Sequence, residues 1–563
     1  MMNLLSKYNL FGNSFLRFFK YSLIIFFSVY SFTALSQSKD DVKGESQAKI
    51  KKTNIQVSQL TKPSLGSLGI KTEINNFMGL KVWENLEAKD IYESINYIPD
   101  VITSRSMQFF LNEMYLSASN PPIGTTENIV KFLETRLLKI KSSGHSKKLY
   151  QLVKQLPGGK RWNIWKKWQV EFELFNIKDK EACDYINEKS KNTPEDFWQM
   201  GRIFCLIIDE KKDQSQFVLD LIKARGFSNQ IFEDLFRYIN NDKTIINFEN
   251  KASQIEPLHI IIMESLKLPI KVNYIAHLGI EYTDSLLSLN YLTPKARSFI
   301  LDKKMTYSDI PVETIIENYK SVADVQIDIT TTLTNFSKEP NGYNRANVWL
   351  SIITLKDDLI KAQSILDVVK LETKNGRLNE AIKLYLPILK QIDSSALTKD
   401  IIDTIEKLNV VADPKAFPEN NLANMIMLKK GYEWDWSYIS KTNAWNLIPI
   451  VEKAGMMEPM SINWFEYINT INNDNVENEI FSKWDGSQNV KKFILTKSIT
   501  QASESDQKTL TVLLIARLIS DTPLIDLDLN NLLVIRSALS KIGLEDLGNN
   551  ITYEVMSSKL INF

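Results

Sequence analysis

The chain has 563 residues, 44% hydrophobic and 24% charged, with 68 Lys and Arg against 67 Asp and Glu. That length exceeds a single hydrophobic core and calls for two to four domains or one extended array. A net charge of +1 excludes global attraction to nucleic acid or membrane, and 19 Gly with 17 Pro, both scarce, favour helices over a turn-rich β fold.

The first 36 residues have the layout of an export signal. Met1 to Lys20 carries Lys7, Arg17 and Lys20 and no acid, Tyr21 to Phe32 is an apolar run, and Ala34-Leu35-Ser36 places small residues before Gln37. The run is shorter than the roughly 20 apolar residues that span a bilayer. Residues 1–36 are therefore expected to be a signal peptide cleaved near Ser36, giving a periplasmic protein. An uncleaved inner-membrane anchor facing the periplasm is the alternative. Residues 37–75 are mostly polar and begin as a flexible linker, because they cannot bury enough surface to order themselves.

From 76 to 250 the pattern predicts an array of helical hairpins. Ile129–Lys141, Trp162–Ile177 and Pro194–Glu210 read as first helices, and Ser146–Leu156, Glu181–Lys191 and Gln214–Arg225 as second helices. Leu149, Cys183 and Phe217 recur at 34 residues, as do Val130, Ile164 and Trp198, the period of tetratricopeptide-like pairs. Thr193 is the expected cap of the third pair, with Pro194 at the first helical position. Residues 251–412 form a middle helical region. Pro257 to Lys320 holds several short amphipathic helices, and Val325–Leu333 reads as a strand or as a helix with threonines. Gly376 to Ile388 resembles the second half of a tetratricopeptide repeat, with Gly376 closing one helix and Ala381 letting two approach. Asp413-Pro414 opens a C-terminal region, 413–563, with helices over Leu510–Ile519, Asn530–Lys541 and Glu545–Lys559. The fold expected is all-α, an extended or curved α-solenoid of antiparallel, tetratricopeptide-like helical hairpins.

Cys183 and Cys205 flank the turn at Asn192-Thr193 at similar height in one hairpin, which makes a disulfide geometrically reasonable; two free core cysteines are the alternative. His145, His259 and His277 share no close spacing, and no Cys/His cluster suggests zinc. The strongest charge feature is an acid-free stretch holding Lys139, Lys141, Lys147, Lys148, Lys154, Lys160, Arg161, Lys166 and Lys167, with Trp162, Trp165 and Trp168 interleaved. It reads either as a contact for an anionic lipid or glycan surface or as the solvated outside of two helices whose tryptophans point inward. Tyr432, Trp434, Trp436 and Tyr438 likewise fit a sugar platform or a packed core. The chain contains no P-loop, GxSxG, HExxH or EF-hand pattern, so no catalytic residue, metal or cofactor is assigned.

Several short stretches occur in one order along the chain: Leu116-Ser117-Ala118-Ser119-Asn120-Pro121-Pro122-Ile123-Gly124, Ala182-Cys183, Asp196-Phe197-Trp198-Gln199 with Phe204-Cys205, Thr293-Pro294-Lys295-Ala296-Arg297, and Asn344-Arg345-Ala346. Together they resemble a family of exported, all-helical alphaproteobacterial proteins, some of which carry an antifreeze-glycopeptide label. The family's early Leu-Trp element is present only as Val82-Trp83, and the Ala-Ala-Thr repeats that the label requires are missing. The resemblance implies an exported helical chain and carries over no activity. The function expected is a non-enzymatic periplasmic scaffold binding envelope protein partners. The alternatives are a binder of anionic envelope surface or glycan, and a glycan-cleaving enzyme with a helical superstructure. Nucleic acid is not an expected partner.

Overall fold

The computed structural model describes residues 64–70, 81–240, 248–308, 310–322, 328–428, 486–520 and 522–560. The export signal, most of the linker and the Tyr432–Tyr438 aromatic patch lie outside the described residues.

Every regular element among the described residues is helical, apart from isolated bridges at Glu87–Ile123 and Ile270–Leu292. The expected hairpin helices are present as Thr126–Ser142, Ser146–Val153, Asn163–Phe175, Asp179–Ser190, Asp196–Ile208 and Lys212–Ala224. Their starts follow from local chemistry. The Thr125 hydroxyl accepts from the Asn128 amide, and Ser104, Asn229, Thr293 with Pro294, Asn341 and Asp357 cap later or earlier helices in the same way. Gly376 and Gly543, at φ +71° and +81°, end the helices Asp358–Lys374 and Leu529–Lys541.

Two local expectations change, and one open alternative is resolved. Thr193 is not a cap: the helix begins at Asp196 behind Glu195, whose carboxylate is taken by the Trp198 indole N–H at 3.1 Å, while the Thr193 carbonyl accepts from Gln199. The described part of Val325–Leu333 is helical from Ile329 to Lys338, because Asp328 accepts from the Thr330 and Thr331 amides and so nucleates a turn. The 34-residue register does not carry into packing. Val130, Leu149 and Trp198 are buried, whereas Ile164 is 70% exposed and Phe217 68%.

Successive helices pack on one another across short turns, as in Asp179–Ser190 on Asp196–Ile208, Asp196–Ile208 on Lys212–Ala224, Asp358–Lys374 on Leu378–Leu389, and Leu529–Lys541 on Glu545–Leu560. Ala381 and Tyr385 are buried at the third of these contacts. The sulfurs of Cys183 and Cys205 stand at bonding distance, with Cα atoms 5.7 Å apart, and staple the first pair.

The two ends of the described chain also meet. The Thr509 hydroxyl donates to the Val82 carbonyl at 2.6 Å, and Thr103 to that of Thr522 at 3.1 Å. Glu554, on the last helix, accepts from the Ser104 hydroxyl and from the Ser106 amide and hydroxyl at 2.6–2.8 Å. One hydrophobic core accordingly runs from Leu68 to Phe172 and again from Met305 to Leu560, while a second occupies Val170 to Ile300. The first cluster joins the two ends of the described chain, a pairing that local composition cannot show.

Two buried arginines tie the first core. Arg136 donates to the carbonyls of Leu68, Tyr115 and Ser117. Arg345 holds Glu372 at 2.7 and 3.0 Å and Asp302 at 2.9 Å, and Asp302 also takes Arg377 at 2.5 Å.

Candidate functional site: a charged, aromatic cleft

Where the two cores adjoin, helices Thr126–Ser142 and Asn163–Phe175 face the segment Ser253–Tyr282 across a cleft of about 670 Å³. Helical spacing places Glu134, Leu138 and Lys141 on one wall, at i, i+4 and i+7. The second wall carries Ile164, Trp165, Lys167, Trp168 and Glu171, and Arg161 enters from the turn before it. The third includes Glu256, His277, Leu278, Gly279, Glu281 and Tyr282.

Three cations and three carboxylates of the cleft are mutually engaged. Arg161 forks onto Glu134 at 2.7 and 2.9 Å and also reaches Glu127 at 2.8 Å. Lys141 meets the buried Glu281 at 3.2 Å, and Lys167 meets Glu256 at 3.5 Å. Gly279 permits the second contact of this wall, because a Cβ there would lie 2.0 Å from a Glu281 carboxylate oxygen.

The fourth carboxylate is different. Glu171 is buried, receives the Tyr282 hydroxyl on Oε2 at 2.5 Å, and has no ion-pair partner among the described residues. Burial pushes its carboxyl up to about 7; Lys167, the Tyr282 hydroxyl and Lys141 pull against this, and Glu256 adds to it. Behind the cleft, the Glu256 amide donates to His259 Nδ1 at 2.9 Å, and burial brings this imidazole down to about 4. The His277 ring nitrogen Nε2 donates to the Ile255 carbonyl at 2.7 Å. The Trp168 indole nitrogen is buried, with no hydrogen-bond partner among the described residues.

The nine basic residues of the acid-free stretch do not form one face. Lys141, Arg161 and Lys167 line the cleft. Lys139 turns to the Ile98 carbonyl and to Asp100 at 2.9 Å, and Lys148 to Glu113 at 3.3 Å. Lys166 donates to the Val153 carbonyl at 3.0 Å. Lys154 lies over the Tyr150 ring, while Lys147 and Lys160 are exposed. Trp162, Trp165 and Trp168 are buried. The stretch is acid-free in sequence but not in space, since its counter-charges come from Asp100, Glu113, Glu127, Glu134, Glu256 and Glu281.

The cleft's acids and Tyr282 were not legible as a site. The one signal was Glu171 itself, an acid set between Val170 and Phe172 in the apolar run VEFELF. Among the described residues no cluster of His, Cys, Asp and Glu is arranged to hold a metal, and no helix is long and apolar enough to cross a membrane. The resemblance to the exported helical family rests on its short motifs alone. Comparison of the chain with family models, curated proteins and solved structures returns no match, so the role of the cleft has to be argued from its own residues.

Proposed function

We propose that the protein is a non-enzymatic helical scaffold, exported to the periplasm, that holds a protein partner in the cleft between Thr126–Ser142, Asn163–Phe175 and Ser253–Tyr282. The finer architecture belongs to this reading: helical hairpins in tetratricopeptide-like succession, curved so that their walls offer a concave surface. One observation carries it. Ile164 at 70% exposure and Leu138 at 53% leave large aliphatic side chains open at the cleft, beside Trp165 and Leu278 and among ion-paired polar groups. An apolar centre within a polar rim is the composition of a protein–protein contact. The ion pairs favour binding over catalysis. Glu134, Glu256 and Glu281 are each held by a cation, which fixes the shape of the cleft and leaves no second free carboxylate beside Glu171.

The test is site-specific photo-crosslinking in the cells that make the protein. A photoreactive residue at Ile164 should yield a discrete adduct, and one at Phe217, equally exposed but outside the cleft, should not. Absence of an adduct at 164, or the same adduct at both positions, refutes the reading.

A further inference from the structure

Resting on the cleft as a binding site, we infer that the group it accepts is a cationic side chain, an arginine or lysine of the partner, seated against the Glu171 carboxylate with its stem along Trp165 and Leu278.

The argument is one of charge complementarity. Three cations in the cleft are each committed to a carboxylate: Lys141 to Glu281, Arg161 to Glu134 and Lys167 to Glu256. Among the described residues, Glu171 has only the Tyr282 hydroxyl and no ion pair. With Glu171 ionised the lining holds four carboxylates against three cations, and an entering cation balances it. An entering anion would have to displace an existing ion pair or add to the excess. The walls suit the stem of such a side chain as well as its head. Trp165, Trp168 and Tyr282 offer aromatic surface to a guanidinium, and Leu138, Ile164 and Leu278 offer aliphatic surface to methylenes. A planar guanidinium fits best, because it can donate to Glu171 while lying against a ring.

A consequence follows for protons. Glu171 faces Lys167 on its own helix, Lys141 across the cleft, and Glu256 and Tyr282 from the third wall, and in this setting burial holds it up to about 7. A cation arriving beside it favours the ionised carboxylate, so at pH 6 binding expels a proton from Glu171 into solvent. One proton released makes the apparent dissociation constant about tenfold weaker at pH 6 than at pH 8.

The experiment is isothermal titration of the mature chain with the hexapeptide acetyl-Ala-Leu-Arg-Leu-Ala-Gly-amide and with the same peptide carrying uncharged citrulline or Glu in place of Arg. Titrations run at pH 6 and pH 8, each in two buffers of different ionisation enthalpy. The arginine peptide should bind, about tenfold more tightly at pH 8, with close to one proton released at pH 6. The citrulline and Glu peptides should bind at least tenfold more weakly. Glu171→Gln, with an unchanged circular dichroism spectrum, should lose both the pH dependence and the proton release. Arginine and citrulline peptides binding alike overturn the inference, while crosslinking at Ile164 leaves the cleft reading standing. No binding of the arginine peptide overturns it too, and the crosslinking result then decides whether the cleft reading falls with it.

Discussion

Arg136 offers the sharpest test of how the frame around the cleft is held. It is buried on helix Thr126–Ser142, and among the described residues no carboxylate reaches it. Its guanidinium donates instead to Tyr115 O at 3.0 and 2.7 Å, Ser117 O at 2.7 Å and Leu68 O at 3.0 Å, and lies over the rings of Trp83 and Phe132. Two of those carbonyls belong to the end of helix Arg105–Leu116, where the chain otherwise leaves acceptors unpaired and where positive charge suits the helix dipole. Burial brings the guanidinium down to about 9, so it remains charged at pH 7. Arg136→Met keeps most of the volume and removes every donor. Three buried acceptors then lack partners, at about 1–3 kcal/mol each, and about 1 kcal/mol of cation–π attraction goes with them. Relief of the desolvation of the charge offsets several kcal/mol. The net expected loss is about 3–5 kcal/mol, the three stranded acceptors and the lost ring contacts outweighing that relief. Arg136→Lys keeps the charge without the fork and should fall between the two. Urea unfolding gives the stabilities, and amide exchange at residues 68–70 and 115–119 gives the local effect. If Arg136→Met lies within about 1 kcal/mol of wild type, the carbonyl clamp does not hold this frame.

Removing Asp302 should be comparably damaging: Asp302→Asn takes the charge from between Arg345 and Arg377, a loss of about 3–5 kcal/mol in urea unfolding. The pH dependence of stability should carry the mark of Glu171. Its folded-state carboxyl stands near 7 against an ordinary 4.5, so between these values the native state keeps a proton that the unfolded state has lost. Stability from this group therefore falls as pH rises through that window, by about 3 kcal/mol on reaching pH 8. Glu171→Gln should match wild type near pH 4.5 and exceed it at pH 8; equal differences at both values would contradict the assignment. Closing the loop between Cys183 and Cys205, 22 residues apart, should contribute about 3 kcal/mol. Labelling under denaturing, non-reducing conditions should find no free thiol, and the Cys183→Ala/Cys205→Ala pair should unfold at lower urea.

Much of the fold was legible because helices advertise themselves locally. The apolar spacing of Thr126–Ser142 and Asn163–Phe175 and the glycine at 376 act within a few residues, and the observed helices lie close to the expected ones. The equal height of Cys183 and Cys205 about a short turn is likewise a local property. What local pattern could not give is equivalence between helices. A spacing of 34 residues placed Ile164 beside Val130 and Trp198, yet Ile164 faces solvent while the other two are buried, because rotation of a helix about its axis depends on what packs against it. Closure of the ends through Glu554, Ser104 and Ser106 is the same kind of information: each partner is an ordinary cap or surface residue until the other end arrives.

The site was hidden for an electrostatic reason. Charge in a linear window predicts a charged surface only if the counter-charges are also in the window. Lys139, Lys141, Lys148, Arg161 and Lys167 draw theirs from residues 27 to 140 positions away, so the acid-free stretch becomes a set of ion pairs on folding. The more exposed of these pairs, such as Lys167 with Glu256, add little stability, but those at the cleft orient its walls. The residues that carry the family resemblance, by contrast, serve the frame. Ser119 receives the Trp83 amide, Arg297 holds the Leu287 and Leu289 carbonyls, Arg345 anchors Asp302 and Glu372, and Cys183 and Cys205 staple a hairpin. None of the cleft-lining residues lies in those motifs. The resemblance therefore bears on how the frame is held, while the binding we propose rests on residues outside those motifs, Glu171 first among them because no cation pairs with it among the described residues.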